Sequence, residues 1–197
     1  MSFGYQVLGF GGSGTAAVSA NDNGIFGYGS TGSYVSLTNL VSDVGVIATD
    51  TTGVGTARGR LAACEFGGDQ GIFGYGQPGG GYASMTNLVS NAGVVATDVT
   101  GVGSNREEPA ACSFGDDKGI FGYGIVGGAY SSLTNLVSNV GVVATDTTGV
   151  GTARAYFAAT EFGGDQGIFG YGSGYVSMTN KVSNVGVVAT DTTGVGT

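Results

Sequence analysis

The side chains of this sequence with the means to do chemistry are carboxylates and phenols, and they come in fours. Asp50, Asp98, Asp146 and Asp191 each close a copy of one short segment, and Asp22, Asp69, Asp117 and Asp165 each sit in a copy of one turn. Carboxylate oxygens gathered around an axis suit a hard cation such as calcium, which prefers oxygen ligands. The first set is therefore a candidate cation ring, and calcium is the one cofactor it would admit. Turn chemistry accounts for aspartate at both places equally well, and neither set has the alternating aspartates of a dedicated calcium loop. Tyr34, Tyr82, Tyr130 and Tyr175 form another fourfold set, each beside a loop of variable length. Exposed phenol rings make shallow platforms for sugars, and the same rings also pack sheet edges. These four tyrosines are the candidate ligand-binding residues.

The sequence contains no histidine. That removes the usual general base, the usual proton shuttle and the commonest zinc ligand. The block Gly-Ile-Phe-Gly-Tyr-Gly is rich in glycine but is no phosphate loop, since the Lys-Ser/Thr pair and the following helix are missing. No catalytic residue is expected, and the chain does not read as an enzyme. Glu107, Glu108 and Tyr156 occur in single copy and read as loop variation.

That same block sets the organisation. Its first glycine stands at 24, 71, 119 and 167, so the steps are 47, 48 and 48 residues. A fixed period of this size marks a repeat architecture. We divide the chain into an extra strand at 1–13 and repeats at 14–58, 59–106, 107–154 and 155–197, one domain in all. Each repeat has a small-apolar run (Leu61 to Phe66 in the second), a Gly/Asp turn, the glycine block, a variable loop, a Tyr-to-Ser run (Tyr82 to Ser90), an Asn-x-Gly turn and a Gly-Val-Val-Ala-Thr-Asp run. Gly, Asn and Asp favour tight hairpins, and four short runs separated by such turns read as strands. No segment has helical periodicity, and the 42 glycines penalise helix further. The first segment carries Ala17, Cys64, Cys112 and Thr160 at one position. A position that takes Ala, Cys and Thr wants a small side chain, so the cysteines read as buried packing residues, with a disulfide between repeats as the alternative.

Fourteen acids against 6 bases leave a net charge of −8. Nucleic acid and anionic membrane surfaces both need clustered Lys and Arg, so neither is expected as a partner. No apolar run reaches the roughly 18 residues of a membrane helix, and the N-terminus has no signal-peptide core. The expected location is the cytoplasm of the producing host, or outside it after assembly or lysis. The expected partner is a protein or a surface glycan, and homo-oligomers fit as well.

The second repeat runs Arg58-Gly59-Arg60-Leu61-Ala62-Ala63, then Gly67-Gly68-Asp69, then Ile72-Phe73-Gly74-Tyr75-Gly76, with Arg106 and Arg154 standing where Arg58 does. This order resembles the kelch repeat, and the resemblance covers nearly the whole chain. It implies an all-β fold: a four-bladed β-propeller of four-stranded blades, with an open or fibrous stack of the same units as the alternative. The Ala-rich first strands would line the axis, and Ile72, Phe73, Leu88 and Val94 with their equivalents would fill the space between blades. Residues 1–13 would close the ring by adding a strand to the last blade. The wording of the repeats also resembles glycine-rich repeat proteins of bacteriophages. That implies a structural or interaction module associated with a virion or tail; the alternative is a carbohydrate-binding propeller.

Overall fold

The structure, a computed structural model, describes residues 6–9, 23–174 and 176–194. All regular structure among these residues is β-strand, as the alternation and turn chemistry predict. The first repeat holds β1 (Gln6–Gly9), β2 (Gly24–Gly27) and β3 (Thr38–Val41) in one antiparallel sheet. A short ribbon of β4 (Arg58–Gly59) and β7 (Gln77–Pro78) flanks the second sheet, which is β5 (Ala62–Phe66), β6 (Gln70–Gly74) and β8 (Thr86–Val89). The third is β9 (Ala110–Phe114), β10 (Lys118–Val126) and β11 (Ala129–Val137), and the fourth is β12 (Ala158–Phe162), β13 (Gln166–Gly170) and β14 (Thr179–Val182). In every sheet the glycine block is the central strand.

β1 takes beside β2 the place that β5 takes beside β6: Gln6 pairs with Gly27 as Ala62 pairs with Gly74. The strand expected within 1–13 therefore belongs to the first repeat and does not add to the last one. Thr15, Ala16 and Ala17 lie outside the described residues.

The fourth segment of each repeat is held by isolated bridges. In the second repeat these are Val89 with Val95 and Thr86 with Val99. Between them the third strand advances by three residues and the fourth segment by four, so one residue is extra. The cause is a side chain. Asn87 Nδ2 donates to the Ala96 carbonyl at 3.0 Å and to Asp98 Oδ1 at 2.9 Å, occupying the gap where the ladder would run. Asn39, Asn135 and Asn180 do the same in the other repeats. One core expectation is corrected here: Val95 is buried while Val94 is 66% exposed, because Val95 bridges Val89 and Val94 closes the turn onto Ser90.

The core lies between repeats. Strand alternation sends successive side chains to opposite faces, so Phe73 joins Ile25 and Tyr28 of the first repeat, while Ile72 joins Cys64, Phe66 and Phe121 towards the third. A third such slab holds Cys112, Phe114, Ile120, Tyr123 and Phe169. Each slab is closed by one phenylalanine lying over a glycine of the preceding repeat: a Cβ on Gly27 would come 2.8 Å from Phe73 Cζ, and on Gly74 and Gly122 2.6 Å from Phe121 and Phe169. The same rings meet Tyr28, Tyr75 and Tyr123 edge to face, with centroids 5.2, 5.1 and 5.4 Å apart. The glycines are thus required by close approach and not by flexibility.

The series stops at both ends. Tyr28, Tyr75 and Tyr123 are at most 2% exposed, but Tyr171 is 52% exposed. A Cβ on Gly170 would meet only Thr179, at 3.6 Å. Phe26 and Ile168, which face outward at the two ends, are half-buried.

This packing makes a specific prediction. Gly74→Ala lowers stability by about 1–3 kcal/mol through overpacking, and adding Phe121→Leu to the same chain recovers part of it. Gly170→Ala, with space around it, stays near neutral. Urea denaturation reads all three, and equal effects at Gly74 and Gly170 refute the account.

Candidate functional site

Two arrangements emerge from the residues upward: a polar joint repeated along the stack, and one edge where the repeat breaks down.

The joint is built on Arg58, Arg106 and Arg154, all buried. Arg58 Nη2 donates to Asn87 Oδ1 at 2.6 Å, Nε donates to the Tyr75 carbonyl at 2.8 Å and Nη1 donates to the Thr56 carbonyl at 3.1 Å. Its guanidinium carbon lies 4.4 Å from the centroid of Tyr28, in the preceding repeat. Arg154 repeats these contacts with Asn180, Tyr171, Thr152 and the ring of Tyr123. At Arg106, Nη2 bonds Asn135 and the guanidinium sits closer over Tyr75, at 4.0 Å, while Nε and Nη1 make no hydrogen bond. The tyrosines are aimed at this site by their backbone. Tyr28, Tyr75 and Tyr123 have φ of 63°, 64° and 60°, and the ladder slips between Gly122 and Gly124. This is a bulge of the kind that re-aims a side chain. Each hydroxyl then donates to a carbonyl of the following linker: Val54, Val102 or Val150.

The aspartates proposed as a cation ring lie in these joints. Asp98 accepts from Thr56 Oγ1 at 2.7 Å and from Asn87, and stands 3.8 Å from Arg58 Nη1. Asp146 and Asp191 have the same surroundings at Arg106 and Arg154, with Ser104 and Thr152 as donors. Asp50 accepts from Asn39 Nδ2 at 2.8 Å. Asp98, Asp146 and Asp191 therefore each serve a joint, while Asp50 is held by Asn39 of its own repeat. Among the described residues no three His, Cys, Asp or Glu side chains come together as a metal-holding group. Burial alone would raise the pKa of Asp98, Asp146 and Asp191, but hydrogen bonds from Thr or Ser and Asn, with the arginine charge, hold all three below the ordinary aspartate range.

Cys64 and Cys112 are unpaired and buried. Each thiol packs on a glycine of the next repeat, Gly119 or Gly167, so the two point the same way along the stack. Burial pushes the Cys112 thiol up to about 12 and raises that of Cys64 too, so both are inert packing residues, as the Ala/Cys/Thr pattern predicts.

The second arrangement is an edge of non-repeating residues. Arg60, Glu108 and Tyr156 hold one position of successive repeats, and all three have left-handed backbone, with φ of 56°, 54° and 57°. Arg60 Nη1 donates to Glu107 Oε2 at 2.9 Å, and Nε stands 3.4 Å from Glu108 Oε1. Glu107 is bridged to Ile125, which pairs with Tyr130, so Glu107 and Tyr130 lie in one cross-strand row. Tyr130 and Tyr156 are 52% and 58% exposed. Burial raises the Glu108 carboxyl, with Arg60 opposing, and the Tyr156 phenol is raised by burial and by the Glu108 charge. Two open phenol rings beside a charged Arg–Glu cluster suit a ligand with both apolar faces and hydroxyls.

Of the four candidate tyrosines, Tyr130 alone is on this edge with an open ring. Tyr34 lies over Gly59 and donates its hydroxyl to Gln77 Oε1; Tyr82 is half-buried; Tyr175 lies outside the described residues. Glu107, Glu108 and Tyr156 were read as loop variation, and Arg60 only as part of the run Arg58–Ala63. The signal that would have found them is that their positions share the repeat's phase while their side chains do not match. No protein-family model matches this chain, and no curated protein matches it.

Removing a joint arginine tests the first arrangement. Arg58→Ala takes the donor from Asn87 Oδ1 and from the Tyr75 and Thr56 carbonyls, removes the positive charge beside Asp98, and costs about 3–5 kcal/mol in urea denaturation at neutral pH. Because the aspartates' folded pKa values are depressed, their contribution is present above the unfolded value near 4 and is lost as pH falls through the lower folded value. Wild-type stability therefore holds steady down to about pH 4 and then declines, and Asp98→Asn makes that decline shallower.

Proposed function

We propose that this chain is a non-enzymatic structural and interaction module of a phage particle: kelch-like β blades joined into a rigid unit that presents a patterned surface to a protein partner. Of the closed ring and the open stack, the uncovered Tyr171 and Gly170 favour the open stack. The observation that carries the functional reading is a row of valines. Val46, Val94, Val142 and Val187 occupy one position in all four repeats and are 63–66% exposed. Single exposed apolar residues are ordinary, but a row repeated at every unit of a rigid stack marks a contact surface. Beside its first member runs an open apolar groove of about 310 Å³, lined by Leu40, Val41, Val46, Ala48 and Gly93. Replacing the four valines by serine leaves the fold intact by circular dichroism and depletes the chain from purified virions, as read by mass spectrometry. A chain found only in the lysate and never in purified virions overturns the proposal.

The second reading, glycan binding, is favoured by Tyr130 and Tyr156 standing open beside Arg60 and Glu108. On a glycan array the wild-type chain then gives a signal that Tyr130→Ala and Tyr156→Ala each reduce about tenfold. An array without signal removes this reading.

A further inference from the structure

The inner joints specify what the two outer faces would accept. At each joint, the preceding repeat offers a glycine and a tyrosine to the next repeat's phenylalanine. It also offers a leucine to the next repeat's turn glycine: Leu40 to Gly93, Leu88 to Gly141 and Leu136 to Gly186, with a Cβ on the glycine coming within 2.3–2.8 Å of the leucine. The hairpin glycines Gly67 and Gly115 meet the turn carbonyls of Asn139 and Asn184. On the fourth repeat these positions are open: nothing lies within 4 Å of a Cβ on Gly163, and Tyr171 is half exposed. On the first repeat the complementary position is open too, with nothing within 4 Å of a Cβ on Gly45.

The repeat departs from its pattern at these same two places. Where Leu40, Leu88 and Leu136 meet the next unit, the fourth repeat has Lys181, exposed. Where Asn91, Asn139 and Asn184 open the turn, the first repeat has Asp43, also exposed. A joint formed between the outer faces would set the Lys181 stem against Gly45 and its ammonium beside Asp43, two residues away. The two substitutions are opposite in charge and fall on facing positions.

We infer that the fourth-repeat face of one chain docks on the first-repeat face of a second copy, continuing the stack head to tail, with the Lys181–Asp43 pair in place of the inner leucine contact. A heterologous contact of this kind does not close on itself unless its rotation sums to a ring, so chains of several copies form. An exposed Lys–Asp pair makes the association sensitive to salt.

Sedimentation velocity over about a hundredfold range of concentration tests this, since an association of this kind is governed by mass action. The wild-type average mass rises with concentration and falls with added salt. Lys181→Glu and Asp43→Lys each shift association to about tenfold higher concentration, and the double swap restores it. Both residues are exposed, so the fold survives. With cysteines at 43 and 181, oxidation gives a ladder of covalent multimers, because Cys64 and Cys112 are buried and do not compete. A monomer at every concentration overturns the inference. So do singles that the double swap does not rescue, and a cross-link formed only within one chain, which would mean that the faces meet in cis.

Discussion

A charged group in the middle of an apolar slab is the constraint on which this architecture depends. Arg58 and its equivalents are inserted between sheets that otherwise touch through Phe, Ile, Val and Leu. A buried guanidinium is costly unless its donors are satisfied, and at Arg58 and Arg154 they reach into both flanking units: ring and linker carbonyl on one side, asparagine and strand carbonyl on the other; Arg106 keeps the asparagine and a closer ring. The sheets cannot slide against each other without stranding it. Lysine lacks the flat fork that fits a ring face and two acceptors together. The phenylalanine over glycine supplies contact area, and the arginine supplies register.

Much of this was legible beforehand. The period of the glycine block, the hairpin turns and the small-residue position of the cysteines all reflect local rules that act within a few residues. The buried asparagines were legible too, because a polar residue repeated inside a strand must bond something. What escaped notice depends on non-local geometry. Arg58, Arg106 and Arg154 stood out by spacing, but nothing in the spacing says that they lie between units. Val94 was assigned to the space between blades, but the turn sets Val95 opposite Val89, and Val95 is the buried one. The spacing of Asp98, Asp146 and Asp191 shows that they are equivalent, but not that each bonds a Thr or Ser beside a buried arginine.

In a chain this regular, departures from the pattern are the informative positions. Arg60, Glu107, Glu108 and Tyr156 converge on one edge, and Asp43 and Lys181 lie on opposite outer faces. Repeat proteins are governed by nearest-neighbour contacts. An inner residue has to fit the same two neighbours each time, while edge and end residues are released from that requirement and are where recognition can be encoded.

The asparagine that interrupts each ladder has a consequence for how such a molecule avoids aggregation. The outermost segment of every sheet is pinned by scattered bridges and carries an extra residue, so its edge is irregular. It therefore offers no continuous template for an incoming strand, which is the usual route to amyloid-like sideways growth. A sequence with few charges and a row of exposed valines would be at risk of such growth were that margin straight. Breaking the margin at every unit leaves the sheet rims inert and confines any polymer to one dimension.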